Sequence, residues 1–147
     1  MKRFNFRLQR VLDIRERFRD EMRQELVQKN FERDQEQRTL EDLDHEFLRS
    51  KVADGGTYSA GELVLVGAYS LRLKEAIEEQ RLRVAAAEKA AEEARERYIE
   101  ASKEAQALEK LKEKRHQEYV EETLKEEGNQ LDEFAVLRAG KGSQSEA

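Results

Sequence analysis

The sequence has no cysteine, no proline and no tryptophan, and only seven glycines. Without cysteine there is no disulfide framework, no Cys-ligated zinc and no thiol nucleophile, a pattern that fits a reducing compartment. Without proline nothing forces a helix to stop. All the glycines but Gly128 fall in the stretches 55–67 and 140–142. Long apolar runs are missing too. No segment approaches the roughly 18 apolar residues of a membrane span. The basic start Met1-Lys2-Arg3 is not followed by the apolar core of a signal peptide, because Arg7, Arg10, Asp13 and Arg15 interrupt it. The reading is a soluble, non-secreted protein.

What is present is charge: 41% of the 147 residues are Asp, Glu, Lys or Arg against 37% hydrophobic, with a net charge of −5. That is too little apolar material for a thick globular core. It is the composition of long helices or coiled coils. Disorder, the other reading of so much charge, is set aside because the apolar residues are periodic and the net charge is small. Both signs interleave and the pI is about 5.3, so no nucleic-acid partner is expected.

From Phe4 to about Val52, Leu12, Leu26, Leu40 and Phe47 share one heptad column and Leu8, Met22 and Leu43 another. Together they form a coiled-coil seam. Arg15, Arg19, Lys29, Arg33 and Glu36 also occupy seam positions, and Glu32–Thr39 is wholly polar, so pairing is expected to be weakest there. Asp54-Gly55-Gly56 supplies the backbone freedom of a tight reversal. Ser59 with Glu62 three residues on reads as a capping box at the start of a second helix. Beyond it Leu63, Ser70, Ile77, Val84, Ala91, Tyr98, Ala105 and Tyr119 fill one column, and Val66, Leu73, Ala87, Ala94, Ala101 and Leu108 the other.

The expected fold is therefore all-α: two long helices forming an antiparallel coiled-coil hairpin. It is a single domain over 1–140, with helix one about 4–52, a turn about 53–61, helix two about 62–137 and a flexible tail at 141–147. Gly128-Asn129 is expected to kink or fray helix two. At 1.5 Å per residue helix one is roughly 70 Å long and helix two roughly 110 Å. Helix one should then run beside residues 62 to about 110, and helix two should overhang it.

No catalytic pattern emerges. Gly140-Lys141-Gly142-Ser143 lacks the Gly-Lys-Ser/Thr order of a phosphate loop. His45-Glu46 is followed by Arg49 where a second zinc-ligating histidine would stand. His45 and His116 read as solvated helix residues. Paired carboxylates need a desolvating cleft that two helices do not make. The reading is a non-enzyme with no cofactor, no metal and no small-molecule substrate.

Apolar surface beyond the seam is what remains informative. Phe4, Phe6, Val11 and Phe18 widen the stripe at the start of helix one, and Leu65, Val66, Tyr69, Leu73, Ala76, Ile77 and Gln80 do so after the turn. In both places local packing and a docking face are equal readings. Leu131-Asp132-Glu133-Phe134-Ala135, on the overhang, reads as a docking element. Residues 1–23 carry eight Lys/Arg against four Asp/Glu, a net +4 in an acidic chain.

In order and spacing these elements resemble the FliJ family, small coiled-coil proteins of the bacterial flagellar type III export apparatus. The matching elements are Phe4-x-Phe6-x-Leu8-x-x-Val11-Leu12-x-x-Arg15, the Gly-containing turn, Leu73-x-x-Ala76-Ile77-Glu78-x-Gln80, Leu108-Glu109-Lys110-Leu111 with Arg115 and Tyr119, and Leu131-Asp132-Glu133-Phe134-Ala135 with Arg138. The resemblance implies a hairpin similar to a rotary ATPase central stalk. It implies a protein, monomeric when isolated, that binds and stimulates the hexameric export ATPase, links it to the export-gate membrane protein and meets export chaperones. It also implies a cytoplasmic location, peripheral to the inner membrane. By the same resemblance Phe4, Phe6, Leu8, Val11, Leu12, Lys110, Leu111, Arg115, Asp132, Glu133 and Phe134 would face the ATPase, and Tyr69, Leu73, Ala76 and Gln80 the gate. A homologous stalk of a virulence secretion system and a scaffold without an ATPase partner stay open as alternatives.

Overall fold

A computed structural model describes residues 3–51 and 56–142. Among these the regular structure is two helices, α1 (Gln9–Arg49) and α2 (Ala60–Gly142), which pack against each other as an antiparallel hairpin. The chain divides into two compact units, one of Met1–Glu16 with Lys103–Ala147 and one of Arg17–Ser102.

In the unit 17–102 the antiparallel sense is read from three cross-helix bonds. Arg97 donates to Glu25 at 2.6 Å, Gln80 donates to the Glu36 carbonyl at 2.9 Å, and the Tyr69 hydroxyl donates to the Glu46 carboxylate. The covered face of α2 follows the heptad spacing: Leu73, Ile77, Gln80, Val84, Ala91 and Ala94 are all buried, with Ala87 and Tyr98 half-buried between and beyond them. Opposite them on α1, Arg19, Met22, Leu26, Arg33, Glu36, Leu40, Leu43 and Phe47 are only half-buried. The asymmetry has a steric cause. Alanine methyls on α2 are small enough to be covered completely, and the long side chains of α1 lie across them with their polar ends in water. Where α1 turns polar, a groove of about 920 Å³ opens, with Arg33, Asp34 and Gln37 on one wall and Glu88 and Glu92 on the other.

Gln80 is the one buried polar side chain among the described residues, 5% exposed, and its amide reaches both the backbone carbonyl and the carboxylate of Glu36. A polar residue in an apolar seam costs stability but penalises every register that leaves it unpaired.

In the unit 1–16 with 103–147, Phe6, Leu12 and Ala105 are buried, and the Arg15 guanidinium pairs with Glu104. Residues 3–8 are not helical, and the first turn of α1 is entered through bonds from the Gln9 N–H to the Phe6 carbonyl at 3.0 Å and from the Leu12 N–H to the Leu8 carbonyl at 2.9 Å. Helix one thus begins five residues later than its apolar pattern suggested. Phe4 nevertheless meets His116 and Tyr119, past the expected limit at residue 110, because the register that sets Arg15 beside Glu104 already brings this stretch of α2 level with the start of the chain.

Of the expected turn, Ala53, Asp54 and Gly55 lie outside the described residues. Gly56 does not take the left-handed backbone expected of it. Instead it leaves room for the Tyr58 ring, whose Cε2 would stand 2.5 Å from a Cβ at that position. The capping box forms as read: the Ser59 N–H donates to Glu62 Oε2 at 2.7 Å and the Glu62 N–H to Ser59 Oγ at 3.2 Å. α2 does not end at Gly128-Asn129 but continues through Gly140, Lys141 and Gly142. The rest of the expected tail, 143–147, lies outside the described residues.

The hydrogen bond from the Ser59 backbone holds the Glu62 carboxyl below its usual range. A depressed folded-state pKa contributes stability above the unfolded value that is lost as pH falls through the folded one, so the start of α2 should fray on acidification. Glu62→Gln should remove that pH dependence, whereas Ser59→Ala, which keeps the backbone donor to Glu62, should retain it and cost about 1 kcal/mol in urea unfolding followed by circular dichroism. Gln80→Leu should raise the melting temperature while loosening register. Paired cysteines in this cysteine-free chain read register directly: Glu25→Cys with Arg97→Cys should cross-link less completely in the Gln80→Leu background.

Candidate functional site

Apolar surface remains outside the helix pairing in each of the two compact units. The first such surface is built around the non-helical start of the chain. Phe4 stands edge-on to the His116 ring, centroids 5.0 Å apart at 87°, and 5.6 Å from Tyr119. T-shaped contacts of this kind are favourable for aromatic pairs. They make His116, exposed on its helix as the sequence suggested, a packing partner of Phe4 as well. A groove of about 730 Å³ lies between the two segments, lined by Phe4, Phe6 and Leu8 from one and Leu111, Arg115 and Tyr119 from the other. Its polar edge mixes Arg3 and Arg7 with Glu118 and Glu122, and Arg115 pairs with Glu118 at 3.2 Å.

Five residues of the sequence-derived cluster therefore meet in one place: Phe4, Phe6, Leu8, Leu111 and Arg115. Their roles differ. Phe6 and Leu12 are buried, Leu12 to 2% exposure, so they hold the two segments together. Leu8 and Leu111 are half-buried, and Val11, Lys110 and Arg115 are exposed. Asp132, Glu133 and Phe134 do not join the groove. They lie on α2 thirteen or more residues past Tyr119, roughly 20 Å further along the helix. There a shallow surface runs along Asp132, Glu133, Val136 and Leu137, with Leu131 and Phe134 about two-thirds exposed. Every described residue after Thr123 is exposed.

The second surface is at the start of α2. The stretch from Ala60 to Leu71 contains a single charged residue, Glu62, in a chain otherwise two-fifths charged. Leu63, Val64, Leu65, Tyr69 and Leu71 are all exposed there, Val64 and Leu65 to 70% or more. Leu63, read from the sequence as a seam residue, is one of them, because α1 ends at Arg49 and supplies no helix opposite it. The four residues read as one gate-facing stripe separate in the structure. Tyr69 is exposed, Ala76 half-buried, and Leu73 and Gln80 are buried in the seam. The Tyr69 hydroxyl is committed to Glu46, a bond that holds its pKa above the ordinary phenol value.

Sequence reasoning did not single out Ile14, Leu71, Leu82, Leu124, Val136 or Leu137 as exposed apolar residues, though all are more than half exposed. For Ile14, Leu71, Leu82 and Leu124 the signal was present in their distance from the seam columns, whereas Val136 falls on a column and is exposed because nothing described packs on that part of α2. It also missed the Arg23 guanidinium, which donates to the Tyr98 hydroxyl at 3.5 Å, lowering the tyrosine pKa and raising that of the arginine. Among the described residues no group of three or more His, Asp or Glu is placed to hold a metal ion, and no helix is long and apolar enough to cross a membrane.

Residues 4–144 match the family model described as the flagellar FliJ protein. No curated protein and no solved structure matches the chain.

Burial separates the cluster into two mutational classes. Leu12→Ala should lower unfolding free energy by about 2–4 kcal/mol, as expected for a buried leucine. Val11→Ala, next to it and exposed, should stay within about 0.5 kcal/mol. Chemical denaturation of both variants measures the difference.

Proposed function

The chain belongs to the flagellar FliJ family and is a component of the flagellar export apparatus, and on that footing we propose that it binds and stimulates the hexameric export ATPase as a central stalk. In this reading the end bearing the Phe4–Leu111 groove and the α2 segment beyond Tyr119 face the ATPase. The start of α2 contacts the export-gate membrane protein, and exposed helix faces meet export chaperones. The protein acts in the cytoplasm at the inner face of the membrane, without catalysis of its own.

The observation that carries the reading is the groove itself. A hairpin that only stabilised itself would finish its seam at Leu12. Here the chain continues past that point in a non-helical stretch, with Phe4 on His116 and Tyr119 beside an open apolar groove. Apolar surface presented in that way, with both charge signs along its edge, suits insertion into another protein. The unequal helices, 41 and 83 residues, support it further, since the longer one extends beyond its partner's cover.

At the gate-facing end burial favours different residues from those the resemblance carries over. Tyr69 stays available, whereas Leu73 and Gln80 are occupied by helix pairing. The exposed neighbours Val64, Leu65 and Leu71 take their place in the proposed surface.

The test is ATP hydrolysis by the cognate export ATPase with and without the purified chain. Stimulation is expected, and Phe4→Ser with Val11→Ser should reduce it at least about tenfold while leaving the helical circular dichroism spectrum in place. Hydrolysis unchanged by the wild-type chain would sink the stalk reading.

A further inference from the structure

We propose that the α2 segment 118–137 is an acidic apolar docking helix whose seat on the ATPase ring is an apolar groove rimmed by lysine and arginine. The inference rests on the stalk reading and adds the chemistry of the surface that receives this end. Seven carboxylates fall between Glu118 and Leu137 against one lysine, Lys125, a local net charge of −6. The segment thus holds more negative charge than the whole chain carries. Interleaved with it, Leu124, Leu131 and Phe134 are each more than 60% exposed and Val120 is 40% exposed. Val120, Leu124 and Leu131 recur at i, i+4 and i+11, which places them on one side of the helix.

Internal stability does not account for this composition. Glu118, Glu122 and Glu126 stand at successive i, i+4 positions, where like charges oppose helix formation. Gly128 and Asn129 come next within the same helix, both poor helix formers. Nothing described packs on the segment after Thr123. A helix so composed gains order when a partner covers its apolar side and answers its charge.

The charge selects among partners. A second copy seated on the same segment would bring −6 against −6, which repels at contact distance. The basic start of this chain is already placed: Phe6 and Leu12 are buried in their own unit, and Arg15 is paired with Glu104. An apolar groove without cations would leave carboxylates at its rim uncompensated as water is expelled. A groove rimmed by Lys or Arg satisfies both components.

The experiment measures binding of the full-length chain to the purified hexameric export ATPase at about 50 and 300 mM salt. Three proteins are compared: wild type, a charge reversal (Glu126→Lys, Glu127→Lys, Asp132→Lys) and an apolar loss (Leu131→Ser, Phe134→Ser). A control reverses Glu75 and Glu79, exposed in the other unit. Wild-type affinity should fall with salt, both overhang variants should bind at least about tenfold more weakly at low salt, and the control should bind as wild type. Undiminished binding by the charge-reversal variant, with wild type bound, would overturn the inference alone. Wild-type dimers that the apolar variant dissolves would overturn it in favour of a second copy. Absence of wild-type binding would overturn the stalk reading and the inference together. All substituted positions are exposed, and helical content by circular dichroism confirms that each variant is folded.

Discussion

Neither helix can keep its own apolar stripe out of water, and the chain offers so few large apolar residues that each must be placed in the seam or left outside it. On α2 the seam is mostly alanine from Ala87 to Ala105, and an alanine methyl contributes little burial. Coverage is nonetheless almost complete at Ala91, Ala94, Ala101 and Ala105. That requires close approach of the partner side chains, which small residues permit. The ion pairs across the seam do not carry the association. Arg97 with Glu25 and Arg15 with Glu104 are substantially exposed, and such pairs contribute little net free energy in water. The narrow seam decides the fold, and the charges keep the remaining surface soluble and polar.

That dependence explains which features could be read from the residues. The seam columns of α2 were legible because heptad spacing is a direct consequence of helix geometry, and it holds from Leu73 through Ala105. The capping box was legible because Ser59 and Glu62 act locally. Two features were not. Phe4-Asn5-Phe6 continues an apolar spacing that suits a helix, yet the helix starts only at Gln9, with Phe6 buried and Phe4 held by ring contacts instead. Likewise Tyr69, Leu73, Ala76 and Gln80 lie one turn apart and look like one stripe. Such a stripe drifts around the helix relative to the heptad seam, and Leu73 and Gln80 fall on the inner side of the boundary while Tyr69 falls on the outer.

The same boundary bears on how function would be read from substitutions. Residues that hold the helices together and residues that meet a partner alternate within a few positions: Val11 outside and Leu12 inside, Tyr69 outside and Leu73 inside. Loss of activity on replacing Leu12 or Gln80 would report a change in pairing as readily as a lost contact. Val64, Leu65, Leu131 and Phe134 are free of that ambiguity because burial gives them no structural part.

The exposed apolar residues also pose a solubility problem, and the chain meets it differently in the two places. Around Leu131 and Phe134 the flanking positions carry carboxylates, which hydrate strongly and repel other copies of the same segment. Around Val64 and Leu65 there is only Glu62, itself engaged with Ser59 in the helix cap. The acidic segment is therefore suited to remaining uncovered until its partner arrives. The start of α2 lacks that protection: its exposed apolar residues meet water with no free neighbouring charge to hydrate them or to repel a second copy.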